Sequence, residues 1–146
     1  RTFAAEIEAC GKQRIAVVKL DDLLQGLDAA EAVCVVRWMD GCGEDNFYYF
    51  CDHKDMNFRP VNLNVQVNPE EGSVTVSSDY AARMVRLEMD EAWLDWEDNY
   101  FDLLPGLTRV IHVRQKEGKE VPWNTLKVSA LNGASVTMNG RQPVTE

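Results

Sequence analysis

At 146 residues the chain can hold one ordinary domain, or a small domain and part of a second, but not a (β/α)8 barrel, which takes about 250 residues. Apolar residues at 45% and charged residues at 27% exclude a disordered chain. The formal charge of -9, from 15 basic and 24 acidic residues without a Lys/Arg stripe, argues against nucleic acid as a partner, and no apolar run reaches the roughly 18 residues that cross a membrane.

Phe3 to Ala9 alternates, with Phe3, Ala5, Ile7 and Ala9 set against Ala4, Glu6 and Glu8, and this predicts a half-buried strand. A turn at Gly11-Lys12 leads to a second expected strand, Arg14 to Leu20. Asp21 to Ala32 carries Leu23, Leu24, Leu27 and Ala30 at a spacing that suits a short helical crossing, and Gly26 opposes a long one. Ala32 to Trp38 is strongly β-prone, with Val33 and Val35 on one face and Cys34, Val36 and Trp38 on the other. Asp40-Gly41-Cys42-Gly43 predicts a turn, because glycine takes positive φ at low cost, and Asn46 to Cys51 returns as an aromatic strand. Four strands in the first 58 residues are few for a closed sandwich. Cys10, Cys34, Cys42 and Cys51 match no zinc or CxxC spacing; buried free thiols are expected, with Cys34 and Cys42 flanking the hairpin as one candidate disulfide.

Pro60 marks a boundary. Beyond it Val61, Leu63, Val65 and Val67 face inward while Asn62, Asn64, Gln66 and Asn68 face outward, the pattern of a sheet covered on one side. Pro69-Glu70-Glu71-Gly72 turns the chain into Ser73 to Ser78, where Val74 and Val76 point in. Ala82 to Met89 follows, with Val85, Leu87, Met89 and Arg83 expected on one face. Leu107 to Arg114, Thr125 to Leu131 and a short Ala134 to Met138 complete five or six strands separated by Gly, Pro and Asn. That spacing predicts an all-β sandwich rather than βαβ units.

The densest stretch is Asp90 to Gly106, DEAWLDWEDNYFDLLPG, with six carboxylates and two tryptophans, expected to join two strands. Pro105-Gly106 reads as a turn, and Tyr100, Phe101, Leu103 and Leu104 are expected to anchor the loop on the sandwich edge. Asp95, Glu97, Asp98 and Asp102 offer oxygen atoms to calcium, but the run is not an EF-hand loop, and a solvated acidic face is the simpler reading. Trp93 and Trp96 are candidate sugar contacts, since an indole face beside polar groups suits a pyranose; packing is the competing role. Glycoside hydrolysis needs two carboxylates at set separation in a cleft, and no cleft-forming architecture is legible around these acids. His53 and His112 stand in no ligand-spaced cluster, and Ser77 and Ser78 lack a nucleophile-elbow context. No catalytic residue, metal or cofactor is expected in this chain.

Three runs carry a family resemblance. Asp98 to Gly106, DNYFDLLPG, resembles the loop motif of the C-terminal immunoglobulin-like domain in β-mannosidases and related exo-glycosidases of glycoside hydrolase family 2. Asn46-Phe47-Tyr48-Tyr49-Phe50 with Lys54-Asp55-Met56-Asn57-Phe58 is similar to the end of their penultimate sandwich, and Leu126 to Leu131 to their final strand. The sequence departs from the family at Trp96-Glu97, where smaller residues usually precede Asp98-Asn99, and in its four cysteines. The resemblance implies that residues 1–58 end a penultimate sandwich and that 59–146 form the terminal immunoglobulin-like domain.

It also implies a parent enzyme that removes terminal β-linked mannose with retention, or a related sugar if the parent is an exo-β-glucosaminidase. Two glutamates on a preceding barrel would do that chemistry, so neither maps here. The implied partners are that barrel and the preceding sandwich of the same polypeptide, with an oligosaccharide as a further candidate. The alternatives are a carbohydrate-binding module using Trp93 or Trp96, and a free-standing adhesion domain. A chain that starts at Arg1 is expected to be a piece of a longer one with any targeting signal upstream, leaving periplasmic, extracellular, lysosomal and cytoplasmic settings open.

Overall fold

The computed structural model describes residues 1–6, 8–39, 45–90, 94–115 and 119–138. Contacts divide the chain into two units, Arg1–Asn57 and Phe58–Glu146.

In the first unit a single helical turn, α1 (Leu20–Leu24), ends where Gln25 and Gly26 adopt left-handed backbone at φ 50° and 86°. Strands β1 (Val33–Val36) and β2 (Asn46–Tyr49) pair antiparallel, Val33 opposite Tyr49 and Val36 opposite Asn46. Arg37 and Asp45 form an ion pair at 2.5 Å beyond the end of this ladder. The expected turn at 40–43 lies outside the described residues.

The strands expected at Phe3–Ala9 and Arg14–Leu20 do not form among the described residues, where the backbone is irregular up to Leu20. Alternation creates an apolar face, but a strand also needs a neighbour for its N–H and C=O groups, and among the described residues no strand pairs with these segments. Phe3 and Val17 are accordingly 51% and 81% exposed. Cys10, Cys34 and Cys51 are free thiols, Cys10 exposed rather than buried; Cys42 lies outside the described residues.

The second unit is built from β3 (Leu63–Asn68), β4 (Ser73–Ser78), β5 (Ala82–Glu88), β6 (Asp95–Trp96), β7 (Phe101–Leu103), β8 (Thr108–Arg114), β9 (Lys127–Ser129) and β10 (Val136–Thr137). Among the described residues they form two four-stranded sheets, β3-β4-β8-β6 and β10-β9-β5-β7, antiparallel throughout. The β3–β4 hairpin closes at Gly72, whose φ of 64° places it in the region that costs glycine least. Leu63 then faces Ser78 and Asn68 faces Ser73.

Inward residues of both sheets meet in one core, with Val74, Val76, Val85, Leu87, Ile111 and Val128 at most 1% exposed. Each such side chain contributes about 1.5–3 kcal/mol by leaving water. Gly133 permits a close crossing between the sheets. Val61 bridges to it in parallel, and a Cβ there would lie 2.7 Å from the Val61 carbonyl oxygen.

Two expectations change here. Asp90–Gly106 is more than a connecting loop: β6 joins β8 in one sheet and β7 joins β5 in the other, so the segment crosses the sandwich. The described strands of this unit therefore exceed the five or six expected. Arg83 also leaves the Val85–Leu87 face. Ala82 pairs with Leu103 and Val85 with Phe101, so Arg83 and Met84 together oppose Asp102 in a bulge. The phase slips by one, and Ala82 takes the inward place, 2% exposed.

Candidate functional site

The described part of the acid-rich crossing, residues 94–106, brings several polar side chains to the backbone and side chains of both sheets. Asn99 behaves as a substitute strand. Its Oδ1 accepts the Leu87 N–H at 2.9 Å, and its Nδ2 donates to the Leu87 carbonyl at 2.9 Å. The same Oδ1 accepts the Tyr100 N–H at 3.0 Å, while Asp98 Oδ1 accepts the Asn99 N–H at 2.7 Å. A short β5–β7 ladder would otherwise leave the backbone of Leu87 unmet beside a buried side chain.

Asp102 serves the bulge in the same way. Its Oδ1 accepts the Met84 N–H at 2.9 Å and its Oδ2 accepts from the Arg83 guanidinium. Met84 stands at φ 47°, an uncommon conformation for a side-chain-bearing residue, and the carboxylate helps to hold it there. The Arg83 N–H donates to Asn132 Oδ1 at 2.9 Å, and Asn132 Nδ2 donates to the carbonyls of Ala81 and Arg59 at 2.9 and 2.8 Å. The Arg83 and Asp102 side chains are 12% and 9% exposed, so this ion pair is largely withdrawn from water.

The remaining acids have separate partners. Asp98 pairs with Arg109, whose guanidinium carbon lies 4.6 Å from the Phe101 ring centroid. Glu97 Oε2 lies 2.8 Å from His112 Nδ1 and accepts the His112 N–H at 3.2 Å, and the Glu97 N–H donates to the His112 carbonyl at 2.9 Å. The imidazole first, then the backbone N–H, holds the Glu97 carboxyl below its ordinary range. Asp95 extends the β6–β8 ladder opposite Arg114. Asp95, Glu97, Asp98 and Asp102 thus do not converge, and no group of three His, Cys, Asp or Glu suited to a metal ion occurs among the described residues.

The apolar members divide. Phe101 and Leu103 are core residues, 6% and 4% exposed, and Leu104 is half-buried. Tyr100, expected to anchor the loop, is 54% exposed at φ 62°, with the Arg86 guanidinium carbon 5.7 Å from its ring centroid. Pro105 and Gly106 form the exposed turn, Gly106 at φ 77°. Trp96 is half-buried and packs against the core. Trp93 lies outside the described residues. Sequence reasoning missed Asn132 and the structural use of Arg83; Asn132-Gly133, a turn-like dipeptide, was the available signal for the former.

Two antiparallel four-stranded sheets sharing one core, with a segment that changes sheets, define an immunoglobulin-like β-sandwich. Residues 58–134 match the Ig_mannosidase family, described as an Ig-fold domain, and the chain belongs to that family. No curated protein matches the sequence. Among solved structures the chain is similar to the crystal structure of a β-D-mannosidase from Dictyoglomus thermophilum, at 23% identity and a TM-score of 0.47. The match covers 62% of this chain and 11% of the other, so the chain spans about a tenth of that protein's length.

Proposed function

We propose that this chain is a non-catalytic part of a longer glycoside hydrolase of family 2 whose substrate is a terminal, non-reducing β-D-mannose residue. The observation that carries the reading is the membership of residues 58–134 in a mannosidase-associated family of Ig-fold domains. The use of its acids agrees: Glu97, Asp98 and Asp102 are spent on His112, Arg109 and Arg83 instead of facing one another across a cleft. In this reading the retaining chemistry belongs to two glutamates on a barrel outside these residues. Residues 1–58 end the preceding sandwich, and 59–146 act on catalysis only by holding neighbouring parts of the same polypeptide in place. Catalytic geometry responds to displacements of about 1 Å, so a supporting domain can change rates without touching substrate.

The test is made on the native polypeptide that contains these residues. It should be far longer than 146 residues and hydrolyse β-mannosides in preference to β-glucosaminides. Removing 59–146 should lower both its melting temperature and its kcat/KM. Unchanged stability and kcat/KM after the deletion would reject the supporting role, and preference for β-glucosaminides would reassign the substrate. Saturable binding of manno-oligosaccharides lost on Trp93→Ala or Trp96→Ala would replace the reading with a carbohydrate-binding module.

A further inference from the structure

Strand β3 ends its sheet, and its sequence is unlike that of a protected edge. In the order β3-β4-β8-β6, among the described residues, β3 pairs with a strand on one side, while Val61 just before it bridges to Gly133. Natural edge strands are kept from pairing by charge, proline, shortness or cover. The other sheet edges described are short: β6 and β10 have two residues each and β7 has three, with Asp95 on β6 and Asp102 on β7. β3 has six residues, Leu63-Asn64-Val65-Gln66-Val67-Asn68, with no charge and no proline, in a chain whose formal charge is -9.

Its outward positions are the amides Asn64, Gln66 and Asn68, and strands disfavour asparagine, so intrinsic propensity does not account for the two asparagines. Asn62 is spent on Asp79, and Asn68 accepts the Glu71 N–H at 3.3 Å, but Asn64 and Gln66 are exposed. On the other face Val65 and Val67 pack against the core yet stay only half-buried.

We propose that β3 pairs edge to edge with β3 of a second copy, joining two four-stranded sheets into one eight-stranded antiparallel sheet across a two-fold axis. Self-complementarity selects this occupant. Directly opposed residues in an antiparallel pair share a face. Because β3 alternates with period two, a two-fold axis at Gln66 sets Gln66 against Gln66, Val65 against Val67 and Asn64 against Asn68. Valines then complete one another's burial and amides meet amides. No charge opposes its like, although both copies are acidic overall. The shared surface is narrow, so association depends on concentration.

Sedimentation of the 146-residue chain over a concentration series tests this. The expected result is a monomer–dimer equilibrium whose dissociation constant rises about tenfold or more with Gln66→Lys, which places two ammonium groups face to face. Val110→Lys is the control: it adds the same charge on the exposed outer side of β8, an interior strand, and should leave association unchanged. Backbone hydrogen exchange in β3 should slow as the dimer forms, a readout that survives if the lysine variant folds poorly. A monomer at every concentration, or a dimer broken by Val110→Lys and not by Gln66→Lys, would overturn the proposal. So would dimerisation that leaves β3 exchange unchanged.

Discussion

The two units draw on the same apolar vocabulary and obtain different structures from it. Phe58–Glu146 gathers thirteen apolar side chains into one core, whereas Ala32 is the buried apolar residue among those described in Arg1–Asn57. Strand β1 is as rich in valine as any strand of the sandwich, yet Val36 is 60% exposed while Val74 and Val85 are wholly buried. The difference lies in layers. The β1–β2 sheet is two-stranded, its Val33, Cys34 and Val35 are half-buried where the sandwich core is buried, and a two-stranded pair is marginal in water. Two opposed sheets cover each other. Side-chain pattern is the same in both cases; closure decides whether it becomes stability.

The sharpest way to break that contrast is to truncate one apolar side chain in each region. Leu87→Ala, at a site 1% exposed, should lower unfolding free energy by about 2–5 kcal/mol, through lost transfer energy and the cavity left behind. Val36→Ala should stay within about 0.5 kcal/mol of the parent chain. Urea unfolding of both variants is the measurement. Comparable losses would show that the first unit holds a core that its exposures conceal.

The same contrast explains what is legible in the sequence. Val61 to Val67 reads correctly because one covered face imposes a strict period of two, and Val74 and Val76 follow the same rule. Phe3 to Ala9 has the period without a partner strand among the described residues, and pairing is not a local property. Strands β6 and β7 are too short to display any period. Strand β6 is placed by its ladder to β8 and by the Glu97–His112 bonds. Strand β7 is helped into place by Asn99 and Asp102 reaching to backbone groups of β5 twelve and eighteen residues away in sequence. The bulge is hidden for a related reason, since Met84 carries no signal for positive φ and only the partner strand reveals the extra residue. The acid-rich crossing stands out by composition, but composition does not say which cation each carboxylate meets. Arg83 and Arg109 answer that only after the sheets are assembled.

A medium-sized effect tests whether these long-range side-chain bonds hold the sandwich together. Asp102→Ala removes the carboxylate from a largely buried pair and one acceptor from the Met84 N–H, and should cost about 3 kcal/mol. Asp102→Asn retains an oxygen for Met84 and should recover part of that loss. Equal stabilities for the two variants would mean that the bulge N–H contributes nothing, and a loss under about 0.5 kcal/mol for Asp102→Ala would show that apolar closure alone sustains the unit.

The smallest expected effect is a pH dependence carried by exposed carboxylates of the second unit. Glu97 is held low by the His112 imidazole and then by the His112 N–H; Asp79 is held low chiefly by the Asn62 backbone N–H. A carboxyl whose folded pKa lies below its unfolded one binds fewer protons folded than unfolded at intermediate pH. Its contribution is therefore complete above the unfolded value, near pH 4, and declines as pH falls through the folded value. The urea midpoint should drop on acidification below about pH 4, and Glu97→Gln should flatten part of that slope. Both members of the Glu97–His112 pair are about half exposed, so screening keeps the change small and added salt should shrink it further. A Glu97→Gln profile that overlays the parent's at every pH would show that the β6 edge is held by its ladder to β8 and by Trp96 against the core, with no help from the ion pair.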